Sequence, residues 1–353
     1  MADMGLSYGN PVIGMRSSDS KWVVVVTSGL NNANADGVST DKGDGQGYFF
    51  VLDAITGELL EKIGTGVGSV ASPSGLMKIS ALFTSANTNP TFQYVYGGDQ
   101  LGNVWRVDLG ASPATITKLA TLKDASSPKR AQPITTRPVL TRIGSDVIVY
   151  VGTGRYIGTR DLTDQGVGAS SWQQTLYAFK DKGTDYGADL RSNTDMVLQT
   201  LTNLSPTTRG TSNNFPTDGW TTKDGWYMDF NPVFGGVAQS PGERINIDIE
   251  LILGTLVVVT NVPIPASGVQ CEIGGSSWLY QLDFRTGQFV ATAPGQVAGS
   301  SLGSVITVGI AVVQLPSGAI KGIVTSADTS KSTQGVIIGG SAGSLRRFSY
   351  RER

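Results

Sequence analysis

Histidine is absent from the 353-residue chain. With it go the commonest general base, the commonest transition-metal ligand and the usual switch near neutral pH. A Ser-His-Asp triad is therefore impossible. Cys271 is the single cysteine, so no internal disulfide forms. It says little about compartment, because a large core needs no covalent staple. Charged residues make up only 16% of the chain, with a net charge of −1, and nothing in that balance attracts nucleic acid or an anionic membrane. No apolar run approaches the ~18 residues of a transmembrane helix. The opening Met1-Ala2-Asp3-Met4-Gly5 has neither the basic region nor the apolar stretch of a signal peptide. A G-x-S-x-G elbow, a Walker loop and a metal-spaced Cys/His cluster are all missing.

What is abundant is glycine, at 46 residues, and β-branched or aromatic runs between the glycines. Scarce charge with frequent glycine argues for strands and turns rather than helices. An apolar run, a glycine turn and a second apolar run ending in an acidic or polar residue recur along the chain. The copies fall at residues 22–29 with 48–53, 94–99 with 102–108, 149–154 with 175–179, 256–261 with 277–283, and 335–340 with 343–348. A short strand precedes several copies, as in Asn10-Pro11-Val12, Arg137-Pro138-Val139 and Asn231-Pro232-Val233. Proline belongs there because it removes a ladder donor at a strand start. A turn and a further strand follow others, as at Thr56-Gly57-Glu58-Leu59 and Thr286-Gly287-Gln288-Phe289. About four strands per unit, repeated every 50 to 70 residues, predict an all-β propeller of four-stranded antiparallel blades. A β-sandwich and a β-solenoid are the competing readings. No low-complexity linker divides the chain, so one domain over 1–353 is expected. Residues 31–47 and 181–224 read as inserted loops, where binding usually resides on a rigid scaffold.

The polar residues carry little chemistry. Asp36, Asp41 and Asp44 in the first insert could supply oxygen ligands to calcium, but their spacing does not match the alternating pattern of an EF-hand loop. A solvated turn is the plainer reading. Asp53, Asp108 and Asp283 recur at one position of the repeat. A catalytic carboxylate is normally unique, so these read as strand-end residues accepting from backbone N–H groups. Asp99, beside the Gly97-Gly98 pair, reads as a brace for the tight turn to Gly102. Trp22, Trp105, Trp172 and Trp278 read as packing between blades. Trp220 and Trp226 lie in the polar insert, where an exposed aromatic pair would form a contact surface.

The stretch Tyr94-Val95-Tyr96-Gly97-Gly98-Asp99-Gln100-Leu101-Gly102-Asn103-Val104-Trp105-Arg106-Val107-Asp108-Leu109 resembles a signature of the PilC/PilY family of type IV pilus tip adhesins. Residues 150–156, 224–229 and 271–283, the ending Arg346-Arg347-Phe348-Ser349-Tyr350-Arg351-Glu352 and the opening residues 2–9 resemble that family too. The resemblance implies a modified seven-bladed propeller at the C-terminus of a larger secreted protein, on the surface or pilus tip of a Gram-negative bacterium. It implies pilus assembly by opposing retraction, adhesion to a host or abiotic surface, twitching motility, and minor pilins as partners. Only five blade units are recognisable here. Many members carry a calcium loop before this signature, and the matching positions are Ser85, Asn87, Asn89, Thr91 and Gln93. Every carboxylate is gone and Pro90 stands where the turn needs glycine, so weak or no calcium binding is expected and no cofactor is implied.

These observations lead to a non-enzymatic docking module, with Trp220, Trp226, Asp36, Asp41 and Asp44 as candidate protein contacts. One rival is a quinoprotein-dehydrogenase-like propeller, because Leu52-Asp53-Ala54-Ile55-Thr56-Gly57 and Leu282-Asp283-Phe284-Arg285-Thr286-Gly287 resemble the turns of those blades. The acidic and basic cluster that such an enzyme needs is not evident. A scaffold propeller of outer-membrane assembly is the other.

Overall fold

The computed structural model describes residues 3–33, 43–85, 88–158, 161, 172–216, 218–234, 237–264 and 274–339. Its regular structure is nearly all strand. The first blade is a meander of β1 (Val12–Arg16), β2 (Trp22–Thr27), β3 (Gln46–Asp53) and β4 (Leu59–Gly68), and the second is a meander of β5 (Ile79–Ser85), β6 (Asn89–Gly98), β7 (Asn103–Asp108) and β8 (Thr115–Thr121). A short parallel pairing of Met15 and Arg16 with Thr91 and Phe92 joins them into one eight-stranded sheet.

The third blade contains β9 (Val139–Ile143), β10 (Asp146–Gly152), β11 (Thr175–Lys180), β12 (Met196–Gln199) and β15 (Gly225–Asp229), in the order β12-β15-β11-β10-β9. The fourth contains β13 (Leu201–Ser205), β14 (Thr208–Thr211), β18 (Glu250–Ile252), β19 (Thr255–Pro263), β20 (Gly275–Asp283) and β21 (Gly299–Gly303), in the order β13-β14-β21-β20-β19-β18. A small hairpin of β16 (Val233–Phe234) and β17 (Val237–Ala238) stands apart, and β22 (Thr307–Gln314), β23 (Ile320–Ser326) and β24 (Lys331–Gly335) form a three-stranded fifth sheet.

In blades two to four the second and third strands are the most continuously apolar, because both of their faces are covered. In β10, Ile148 and Tyr150 join the core between blades three and four, whereas Val149 and Val151 join the core between blades two and three. In β19, Leu256 and Val258 face blade three while Val257 and Val259 face blade five. Successive side chains on a strand point to opposite faces. A blade so placed cannot bury both faces alone, and four apolar clusters fill the joints between its five successive members. Each fully buried Val, Leu, Ile or Phe in those joints contributes about 1.5–3 kcal/mol. Radial stacking therefore supplies most of the stability.

Two expectations about the repeat need correction. Asn231-Pro232-Val233 does not open the fourth blade: Val233 and Phe234 pair only with Val237 and Ala238, and the first strand of that blade is β18. The fifth sheet is likewise built from residues 307–335, upstream of the predicted fifth unit. Residues 336–339 form no strand, and 340–353 lie outside the described residues.

The segment 181–224 is not a free insert. It carries β12 to blade three and the β13–β14 hairpin to blade four, with one-turn 3-10 helices at Leu190–Ser192 and Gly219–Thr221. Arg191 pins it: Nη1 and Nη2 donate to both oxygens of Asp229 at 2.7 and 2.6 Å, and Nε donates to the Lys123 carbonyl.

Candidate docking face

Each joint between blades is also stitched at one end by hydrogen bonds. The end of a second strand bonds to the segment that leads into the first strand of the next blade. Thr27 Oγ1 donates to the Met77 carbonyl at 2.7 Å and Gly29 N to the Leu76 carbonyl at 2.8 Å. Ile134 N donates to the Asp99 carbonyl at 3.0 Å and Ile245 N to the Thr153 carbonyl at 2.9 Å. At the last joint Thr307 N donates to Asn261 Oδ1 at 2.9 Å. These four stitches place the ends of the second strands of blades one to four on one side of the stack.

The residue at that point is polar and buried in each of blades one to four: Ser28, Asp99, Thr153 and Asn261. Ser28 Oγ accepts from Tyr48 N, and Thr153 Oγ1 accepts from Thr175 N. Asp99 Oδ1 accepts from Leu101 N and Asn103 N, and its Oδ2 accepts from the Trp105 indole N–H at 2.9 Å. Asn261 Oδ1 accepts from Ser277 Oγ. Burial pushes the Asp99 carboxyl above its usual pKa, against the pull of these donors. The group braces a tight turn, as its place in the sequence suggested.

From this base the second-to-third connections diverge. Blade two closes in the short turn at 99–102. The chain instead runs from Thr27 to Gln46 in blade one, from Gly152 to Thr175 in blade three and from Pro263 to Gly275 in blade four. All three long connections therefore leave from the same end.

The base of the blade-three connection is held firmly. Arg155 Nε donates to Asp161 Oδ1, whose other oxygen accepts from Ile157 N and Gly158 N at 2.6 and 3.1 Å. Arg244, almost fully buried, donates from Nη1 to the carbonyls of Arg155 and Asp161, both at 3.0 Å, and from Nε to Gly242 O. Burial lowers the Arg244 pKa to about 10, with Asp161 pulling the other way. Around these bases Leu6, Val70, Ile157, Ile264 and Val308 expose apolar side chains, Ile264 at 56% and Ile157 at 37%. A rigid rim of apolar tips is a surface suited to protein contact.

The residues singled out from sequence distribute unevenly over this geometry. Asp44 lies at the end of the blade-one connection. Its Oδ1 accepts from Gln46 N and its Oδ2 from the Tyr48 hydroxyl at 2.5 Å, so both oxygens serve the strand start. Asp36 and Asp41 lie outside the described residues, as does Cys271.

Trp220 and Trp226 do not form an exposed pair: they are 6% and 0% exposed and pack in the core between blades three and four. The polar run of residues around them misleads, because strand β15 carries Trp226 into the joint, where Gly287 lies against its ring, and Trp220 Nε1 donates to the Arg285 carbonyl. Asp53, Asp108 and Asp283 do accept from backbone N–H groups, of Ile55 and Thr56, of Gly110, and of Arg285 and Thr286 respectively. Asp181 completes that set, accepting from Gly183 N. The sequence reading missed it because it stands at the start of the supposed insert.

Of the calcium-loop positions, Ser85 lies on β5 and Asn89, Thr91 and Gln93 on its partner β6. Ser85 ends β5 and pairs with Asn89 at the start of β6. Asn89 Oδ1 accepts from Thr91 N at 3.0 Å, and Gln93 Nε2 donates to Asp108 Oδ1 at 3.1 Å. Asn87 lies outside the described residues. Asn89 Oδ1 is thus already engaged, and the neutral oxygens of these side chains are a poor fit for a hard divalent cation, which wants several charged ones.

Also missed were the connections at 153–174 and 264–274. The gap between second and third strands in each copy of the repeat would have revealed them.

A family model described as the PilY1 beta-propeller domain matches residues 1–208. The chain is 28% identical over 328 residues to a type IV pilus biogenesis factor PilY1 homolog of Xylella fastidiosa, covering 87% of this chain and 20% of that protein. It is 28% identical over 324 residues to the type IV pilus biogenesis factor PilY1 of Pseudomonas aeruginosa PAO1, covering 81% of this chain and 26% of that protein. The chain thus spans about a fifth to a quarter of the length of these curated relatives. The crystal structure of the Pseudomonas aeruginosa PilY1 C-terminal domain aligns with a TM-score of 0.68 at 22% identity, covering 94% of this chain and 73% of that one, a likeness of fold.

Proposed function

The chain belongs to the PilY1 β-propeller domain family, and from that premise we propose that it is a non-enzymatic docking module of a type IV pilus biogenesis factor. It binds minor pilins at the pilus tip, opposes retraction, and supports surface attachment and twitching motility from the cell surface. The long second-to-third connections, all leaving one end of the stack beside exposed Val70, Ile157 and Ile264, are the observation that carries this reading. Each blade supplies stiffness, and the rim supplies contact. The relatives named as pilus biogenesis factors support the pilus part of the proposal. The recurring aspartates, engaged by backbone amides, support the reading without catalysis.

The test is calorimetric titration of the purified chain with recombinant minor pilins. Val70→Asp/Ile157→Asp/Ile264→Asp is expected to weaken binding at least tenfold, the scale of losing one apolar hot spot. Ile55→Asp/Leu315→Asp, at turns on the opposite end, is expected to leave it unchanged. Equal binding by the first variant refutes the assignment.

A further inference from the structure

The first strands of successive blades lie side by side, β1 against β5 and β5 against β9. They form the inner wall of the stack. Just before three of them stand Lys78, Arg137 and Asp248, with Glu250 opening β18. Lys78 Nζ donates to both oxygens of Asp248 at 2.9 and 3.0 Å. That contact joins blade two to blade four and passes over blade three. Blade three enters through Arg137, whose backbone N donates to Asp248 Oδ1 at 3.1 Å and whose Nη2 donates to Glu250 Oε1 at 3.0 Å.

One carboxylate thus receives donors from two different blades. Adjacent blades are already held by apolar cores, but blades two and four share none. The contact between them adds a direct link across blade three.

We propose that Lys78, Arg137, Asp248 and Glu250 form an ionic-strength-sensitive clasp that fixes the angular spacing of blades two, three and four. Residues 78, 137 and 248 lie beside the ends of the second strands, where Ile79 pairs with Gly97 and Val139 with Tyr150. The clasp therefore sits under the rim that carries the long connections, and loosening it changes the spacing of those connections. Its side chains are 24% to 35% exposed, so salt ions reach them. Screening lengths fall from about 10 Å at 0.1 M to about 3 Å at 1 M ionic strength. The Arg209–Glu243 pair, at 1% and 0% exposure, is closed to salt and serves as an internal control. Only the consequence for docking rests on the function proposed above; the clasp itself stands without it.

Hydrogen exchange at 0.1 and 1 M sodium chloride, followed by mass spectrometry, tests this without any partner. In the unaltered chain, high salt is expected to speed exchange about three- to fivefold in peptides covering the starts of β5, β9 and β18. Peptides around Arg209 are expected to stay unchanged. Asp248→Asn is expected to show the faster exchange already at low salt, with no further response to salt. Lys78→Met gives the same reading from the other partner should Asp248→Asn fold poorly. Exchange at those strand starts that ignores salt, or that responds fully to salt in both variants, overturns the clasp.

Discussion

Glu243 offers the sharpest test of how the outer hairpin is fastened to blade four. Arg209 and Glu243 are both almost fully buried. Arg209 Nη1 donates to Glu243 Oε2 at 2.7 Å, its Nη2 donates to Ser240 Oγ at 3.0 Å, and its guanidinium lies 3.6 Å from the Trp278 ring centroid. Glu243 also accepts from Thr260 Oγ1 and the Tyr280 hydroxyl, each at 2.6 Å, and from Ser240 Oγ. Burial alone would lower the Arg209 pKa, but Glu243 reverses this and holds it above the ordinary value.

Glu243→Gln keeps the shape and removes the charge. It strands the guanidinium in the core and turns an amide N–H₂ toward hydroxyl donors. Breaking such a pair costs about 3–5 kcal/mol. With a urea m-value near 3 kcal/mol/M for a large domain, the midpoint is expected to fall by roughly 1–1.7 M. Arg209→Met alone is expected to cost a similar amount, and the double variant far less than the sum, because neither then leaves a lone charge. A midpoint shift under about 0.3 M, or costs that add within ~0.5 kcal/mol, refutes the reasoning.

Three further outcomes follow from local geometry. Asp124 is desolvated, which alone would raise its pKa. The Ser126 hydroxyl and amide and the Arg130 amide and guanidinium outweigh this and hold it below the usual carboxylate range. A lowered pKa means stability present above the unfolded value of 3.8 and lost as pH falls below it. Thermal melts between pH 5 and 3 are expected to show a shallower decline in Asp124→Asn than in the unaltered chain.

Gly287 and Gly57 both have positive φ, +68° and +72°, but an added Cβ would meet the Trp226 ring at 2.7 Å in the first and nothing within 4 Å in the second. Gly57→Ala is expected to cost about 1–2 kcal/mol from backbone strain alone. Gly287→Ala adds overpacking of about 1–3 kcal/mol on top of it, which equilibrium unfolding would read as a clear difference between the two. Calorimetry with calcium at the β5–β6 hairpin is expected to show no heat of binding tighter than roughly 1 mM. Micromolar binding abolished by Asn87→Ala would contradict it.

The parts of this architecture that were legible in sequence are those buried on two faces. Leu256 to Val259 is an unbroken apolar run because blades cover it from both sides. The aspartates at 53, 108 and 283 were readable because a turn amide needs the same acceptor wherever the repeat makes that turn. Strands β12, β13 and β14 were not readable. They are four or five residues long, half exposed and flanked by residues 181–195, so their pattern looks like a loop. The two tryptophans at 220 and 226 inherited that error. Asn231-Pro232-Val233 has the composition of a strand start, and only pairing at distance assigns that role to Glu250–Ile252 instead. The clasp was invisible for the same reason, since Lys78 and Asp248 are 170 residues apart.

A photo-activated cross-linker placed at Ile157, and separately at Ile55, in piliated cells would weigh the docking face against its opposite end. Cross-links from position 157 to pilus subunits, with none from position 55, are the expected result. Cross-links from 55 alone would contradict the account.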